Sequence, residues 1–275
     1  MPPQSAHIWL LSARRLSYEG AVKKPGLLLR NSISIRKAGD ELADVRGIPE
    51  RNAVAHRGPT LQEAFVQTWT MTDISTGWTE YLSIRNNASK LILQAVEELR
   101  EAYPFPVTGF DSDNGTEFRN HGVADWLLAH DRAFIRSRPC KKNDQAALES
   151  KNNHVVPKHA FYWRYDRIDE SELFSQLWSL MSLRLNFFTP TKKPIGLTET
   201  TGGRRRCVHG TPETLWLLVK RSEIPVDVVL IEQRTAGTNP AAITRIIATV
   251  QQSFTNLARE KTGETTSIRQ LEVAS

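Results

Sequence analysis

Cysteine is nearly absent from this 275-residue chain: Cys140 and Cys207 are its only two thiols. They lie far apart and form no CxxC pair, which speaks against a zinc ribbon or knuckle and suits a reducing cytosol. Long apolar runs are missing as well. The longest, Leu27-Leu28-Leu29 and Val228-Val229-Leu230-Ile231, fall far short of the roughly 20 residues that span a bilayer. Met1-Pro2-Pro3-Gln4 is not the start of a basic region followed by an apolar core, so no signal peptide is expected. No repeat stands out. No second histidine stands at ligand spacing from His56, which therefore reads as a structural residue. A cytoplasmic protein without a membrane partner is expected.

What is present can build a core. Hydrophobic residues make up 40% of the chain, enough for one large domain or a core domain with an appendage. The net charge is +6 and the pI about 9.4, which suits a polyanionic partner without requiring one.

Three segments follow from the pattern. Residues 1–40 read as an N-terminal arm, with a basic linker at Lys23-Lys24-Pro25-Gly26 and a short strand or extended arm at Asn31 to Lys37. Residues 41–188 hold the organised part. Ala53 to His56, Ala64 to Thr72 and Trp78 to Ile84 predict a meander of three antiparallel strands. Phe65, Trp69 and Met71 share one face of the second, with threonines on the other. Ala88 to Tyr103 has helical periodicity and stops at Pro104. Val107 to Phe110 predicts a fourth strand, Gly122 to His130 a helix and Ala133 to Ile135 a fifth strand. Asp144 then suits the N-cap of a further helix. This order, β-β-β-α-β-α-β-α, resembles the ribonuclease-H-like fold: α/β, a mixed five-stranded sheet with flanking helices. Ser171 to Asn186 predicts one more helix. Residues 189–275 read as a mostly helical C-terminal extension. Within it Thr189 to Gly210 reads as loop, Thr211 to Lys220 as a short helix, and Asn239-Pro240 as the cap and first residue of another.

The chemistry centres on two carboxylates. Asp113 stands where the fourth strand ends, in Asp111-Ser112-Asp113-Asn114-Gly115-Thr116-Glu117-Phe118. Glu149 stands in Leu148-Glu149-Ser150-Lys151-Asn152, with 35 residues (114–148) between them. Asn114-Gly115 lets the chain leave the sheet sharply. Glu149 lies about one and a half turns after the Asp144 cap, and Asn152 and Asn153 share its helix face. Carboxylates from a strand end and a nearby helix can hold divalent ions that act on a phosphodiester.

Spacing and order resemble the last two members of the Asp-Asp-Glu triad of integrases and transposases. The likeness extends to Arg136-Ser137-Arg138-Pro139-Cys140-Lys141-Lys142-Asn143-Asp144, Tyr165-Asp166, Asn186-Phe187-Phe188 and Thr72-Asp73-Ile74-Ser75-Thr76-Gly77-Trp78-Thr79-Glu80. Over roughly residues 25 to 260 the chain resembles a bacterial insertion-sequence transposase family with an integrase catalytic core. The resemblance implies DNA transposition in a bacterial, nucleoid-associated setting, on double-stranded DNA, by an oligomer. It implies Mg²⁺ or Mn²⁺, two ions, held by Asp113 and Glu149. It also implies DNA contacts from Arg136, Arg138, Lys141, Lys142 and Asn152. A second basic group, Lys192, Lys193 and Arg204 to Arg206, falls in the distal loop.

The same resemblance exposes a departure. The family's first catalytic Asp belongs on the first strand, and the matching residue is Asn52, which offers one neutral amide oxygen. Asp73 and Asp111 are the alternatives for a third ligand. In a simple hairpin Asn52 faces about Trp69, which leaves Asp73 some four residues, roughly 13 Å, further along. Pro157, where the family carries a basic residue, is expected to end or kink the catalytic helix. Two readings follow: a weakly active or alternatively ligated transposase, or an inactive, truncated remnant that binds DNA or partner subunits.

Overall fold

A computed structural model describes residues 34–36, 47–60, 64–73, 75–86, 89–112, 133–137, 155–192, 194–199, 205–222 and 224–274. Its centre is a mixed sheet built from β1 (Ser34–Arg36), β2 (Pro49–Ala55), β3 (Gln67–Asp73), β4 (Thr79–Ile84), β5 (Gly109–Ser112) and β6 (Ala133–Ser137), in the order β1-β6-β5-β2-β3-β4. The β2–β3–β4 meander is antiparallel, and β2, β5, β6 and β1 run parallel. The sheet therefore has six strands where five are expected, because the short segment at 34–36 adds to its edge.

The meander forms where alternation is strong. Trp69 and Met71 point to one face of β3, and Leu82 and Ile84 join them from β4. Phe65 does not: it precedes the strand, half-buried beneath the guanidinium of Arg164 at 5.9 Å. The threonines on the opposite face are not solvated. Thr68, Thr70 and Thr72 are buried because helices cover that side too.

Two apolar clusters sandwich the sheet. Helix α1 (Ser89–Ala102) lays Ile92, Ala95, Val96 and Leu99 on the Trp69 face, joined by Leu215, Trp216 and Val219 of α3 (Leu215–Arg221). On the other face α2 (Ile168–Leu183) packs Phe174, Leu177, Trp178 and Met181. There the Tyr81 ring stacks on Trp178 at 5.3 Å. Helix α5 (Pro240–Ala274) adds Ile243, Ile247, Val250 and Phe254 at helical spacing, and the helical residues 155–160 add Val155, Val156 and Ala160. The C-terminal extension thus contributes to both clusters. Asn239 caps α5 as its sequence predicts, its Oδ1 accepting from the amides of Ala241 and Ala242. A short helix, α4 (Val228–Thr235), was not expected from the sequence.

One expectation is corrected. Residues 189–210 are not all loop: β7 (Pro194–Glu199) and β8 (Arg205–His209) pair as an antiparallel ribbon. Proline, glycines and charges mask the alternation of such short strands. Pro157 stands within helical residues 155–160, with the Phe161 amide donating to its carbonyl, while residues 149–154 lie outside the described residues. A proline near the start of the described helical residues is compatible with the turn that follows it.

A polar network fastens α5 to the segment that precedes α2. Glu170, 1% exposed, accepts from the backbone amides of Asp166 and Arg167 and meets Lys261 Nζ at 2.6 Å. Lys261 also reaches Asp166 at 2.7 Å, and Arg164 pairs with the same Asp166. Gln251 of α5 donates to the carbonyls of Lys158 and His159.

Candidate active site

The ladder between β2 and β5 organises the region. Glu50 pairs with Asp111 and Arg51 with Ser112. Gly47 holds this register at the strand entrances: its carbonyl accepts from the amides of Thr108 and Gly109 at 2.7 and 3.2 Å. Its φ is +79°, and a Cβ there would stand 2.3 Å from the Pro106 carbonyl oxygen, so glycine is required.

Asn52 is the next residue along β2. It pairs with Thr70 of β3, which pairs with Tyr81 of β4. Side chains alternate along a strand and cross-strand partners share a face. Glu50, Asn52 and Asp111 therefore share a face with Thr70 and Tyr81, beneath α2 and near the helical residues 155–160. Asn52 is half-buried, and its Oδ1 accepts from the Ala53 amide at 2.7 Å. Glu50 and Asp111 are buried, at 1% and 0% exposure.

Asp73 lies elsewhere. It pairs with Pro49, three residues beyond Thr70, and belongs to the Trp69–Met71 face. Both carboxylate oxygens are engaged: Oδ1 accepts from the Gly47 amide, and Oδ2 from the amide and hydroxyl of Thr76. The structure does not bring Asp73 to Asn52. Asp111, in contrast, shares the face of Asn52.

His56 is a structural residue by its surroundings. Its Nε2 lies 2.8 Å from Thr68 Oγ1, and its ring packs on Tyr165 and Phe174. Burial lowers its pKa to about 4, which keeps the ring neutral. Glu80 is a second buried ionisable group. Trp78 Nε1 and Asn186 Nδ2 donate to its Oε1, and burial pushes its pKa up to about 7 against the hydrogen bonds from Ser182 and Trp78. Asn186 also clasps the backbone of Thr79 from the π-helical segment Arg184–Phe188.

Asp113, Glu149, Arg138, Lys141, Lys142 and Asn152 lie outside the described residues. Arg136 belongs to β6, opposite Ser112 and Ile35, and its side chain is likewise outside the description. Among the described residues no group of three His, Cys, Asp or Glu gathers as for a metal ion. No described helix is long and apolar enough to cross a membrane. Sequence reasoning missed Glu50, since Pro49 and two charged residues hide the start of β2. The signal was the Arg51-Asn52-Ala53-Val54 continuity that makes Glu50 part of the same strand.

No family model matches the chain. It is 36% identical over 165 residues to the uncharacterized protein y4rM of Sinorhizobium fredii (strain NBRC 101917 / NGR234), covering 60% of this chain and 47% of that protein. The chain thus spans about half the length of this relative. Among solved structures, it is similar to the catalytic core domain of BIV integrase (TM-score 0.40, 16% identity, 57% of this chain and 89% of the other). It is also similar to a chain of the simian T-cell lymphotropic virus intasome in complex with the PP2A regulatory subunit B56 gamma (TM-score 0.44, 10% identity, 65% and 55%).

Proposed function

We propose that this chain is an integrase- or transposase-type catalytic core for DNA transposition, impaired because a neutral Asn52 occupies the first acidic position. The observation that carries this reading is the β2–β5 register. Glu50↔Asp111 and Arg51↔Ser112 advance one residue at a time, and Asn52 and Asp113 are the residues that follow next in the sequence of each segment. Glu149 precedes the helical residues 155–160, which cover the face of Asn52.

Asp113 and Glu149 would hold the divalent ions, Mg²⁺ or Mn²⁺. These supply charge relief at a scissile phosphate and an activated oxygen nucleophile. Asn52 fits such an ion poorly: its one amide oxygen carries no charge and already accepts from Ala53. Arg136, Arg138, Lys141, Lys142 and Asn152 are the proposed DNA contacts, with a homo-oligomer as the working assembly. Asp73 serves as a loop anchor in this reading, since its oxygens hold Gly47 and Thr76. The same Asn52 also favours a second reading, an inactive core that only binds DNA or partner subunits.

Asn52→Asp separates the two. Mn²⁺-dependent nicking of supercoiled plasmid is expected near background for the natural chain and at least tenfold higher for Asn52→Asp. Asp113→Ala in that background should abolish the gain. A second readout does not need turnover. A new carboxylate beside Glu50 and Asp111 should lower Tm in EDTA and recover it with Mg²⁺, while the natural chain responds less. An Asn52→Asp protein with neither response leaves the binding-only reading standing.

A further inference from the structure

The β7–β8 ribbon is the largest feature that the core reading does not use. Seven of its described residues are exposed. Ile195 is 69% exposed, and Gly196, Thr198 and Glu199 are also at the surface of β7; Arg206, Val208 (38%) and His209 are at the surface of β8. Consecutive exposed residues on a strand point to opposite sides, so exposed side chains occur on both sides of the ribbon. A Cβ added at Gly196 would meet nothing within 4 Å. The Thr191–Glu213 bridge ties the base of the ribbon to the residues before α3. A two-stranded ribbon gains little stability from itself, and one left bare calls for a partner.

Charge says what that partner is. Residues 192–209 carry Lys192, Lys193, Arg204, Arg205 and Arg206 against Glu199 alone, a net +4 of the chain's +6. Arg206 stands opposite Thr198 on the ladder, and Arg205 opposite Glu199. Two-thirds of the net positive charge thus falls in the stretch of sequence that holds this antiparallel ribbon. The major groove of duplex DNA admits a two-stranded ribbon, and Lys and Arg neutralise its phosphates.

We propose that the β7–β8 ribbon is a contact for duplex DNA, seated along a groove and separate from the carboxylate site. This inference rests on the DNA reading above and adds where the duplex is held. Its test uses the full chain in EDTA, so that metal-dependent chemistry plays no part. Fluorescence anisotropy would follow a labelled 30-base-pair mixed-sequence duplex over a NaCl series. Replacing Lys192, Lys193 and Arg204 to Arg206 by Gln should weaken binding by at least about thirtyfold at 100 mM salt. It should also flatten the slope of log K against log salt by roughly 2 to 4, at about 0.9 per phosphate contact. Thr198→Lys adds a cation to an exposed position and should tighten binding, a gain that misfolding cannot produce. Absence of duplex binding by the natural chain overturns the proposal, as does equal affinity and slope in the Gln variant. So does a shift in sedimentation from dimer to monomer in that variant with DNA binding unchanged, which would make the ribbon a contact with a second copy. Failure of the core reading looks different: an Asn52→Asp protein without cleavage or Mg²⁺ stabilisation, whose ribbon still binds DNA in EDTA.

Discussion

Asn52 and Asp73 lie on opposite faces of the β2–β3 ladder, three residues apart along it. Asn52 pairs with Thr70 and Asp73 with Pro49. At about 3.3 Å per residue the offset is roughly 10 Å, and the odd count sends the side chains to opposite sides. Asp73 is thereby expected to matter for stability and not for metal. Asp73→Asn removes one acceptor from a buried site that satisfies the Gly47 amide and both donors of Thr76. We expect a loss of about 2–4 kcal/mol, measured by urea unfolding. Unchanged stability together with weakened Mn²⁺ binding would return Asp73 to the ligand set.

The sequence made this relationship half legible. The alternation of Trp69 and Met71 locates β3, and the hairpin estimate put Trp69 opposite Asn52. The structure moves that by one residue, to Thr70. A single step matters because the side-chain period is two: it decides which face Asp73 occupies. Periodicity finds a strand but not its register. Register here depends on Gly47, whose φ and tight approach to Pro106 leave no mark in hydrophobic pattern. The start of β2 was hidden for a related reason. Glu50 and Arg51 are buried in the sheet, Arg51 with its guanidinium 3.7 Å from the centre of the Trp69 ring. Charged residues after a proline carry no strand signal. The apolar stripe of α1 located it nearly to the residue, and Asn239-Pro240 located the start of α5 but not its length. The ribbon was not, because its alternation is short and serves no core.

Gly47→Ala tests the role of that glycine in register. The substitution forces a side chain into a left-handed conformation and against the Pro106 carbonyl. The conformational term alone is about 1–2 kcal/mol, so a larger total loss is expected. Hydrogen exchange should locate it: the amides of Thr108 and Gly109, which donate to Gly47, should lose protection before those of α5. Uniform loss across the molecule would mean that Gly47 supports the fold generally and not this register.

Lys261 provides a test of how the C-terminal helix is held. Its ammonium meets both Glu170 and Asp166. Lys261→Met keeps most of the stem but strands a buried carboxylate with only its two backbone donors. About 2 kcal/mol of stability should go, less than the roughly 3–5 kcal/mol typical of a buried charge left wholly without a partner. Adding Glu170→Gln to Lys261→Met should recover part of it, since the uncompensated charge is then gone. A double variant no better than the single would assign the loss to packing of the lysine stem.

The pH dependence of stability should carry two opposed contributions. Buried His56 titrates near 4 in the folded chain, against an ordinary 6.5. Between those values the unfolded chain binds the extra proton, so stability falls as pH drops from 6.5 to 4. Glu80 works the other way. Its folded pKa of about 7 lies above the ordinary 4.5, so the folded chain keeps a proton that the unfolded chain releases. That contribution is complete below 4.5 and is lost as pH rises towards 7. The two slopes offset one another over the shared window, which flattens the natural profile. Glu80→Gln removes one slope while retaining an oxygen to accept from Trp78 and Asn186. Relative to the natural chain, the variant should gain stability as pH rises from 4.5 to about 7 and level off above it, by a total on the order of 3 kcal/mol. Thermal unfolding followed at half-unit pH steps would reveal it. A constant offset between the two proteins would show that Glu80 is already ionised in the folded state, with Trp78 and Asn186 holding it as a carboxylate.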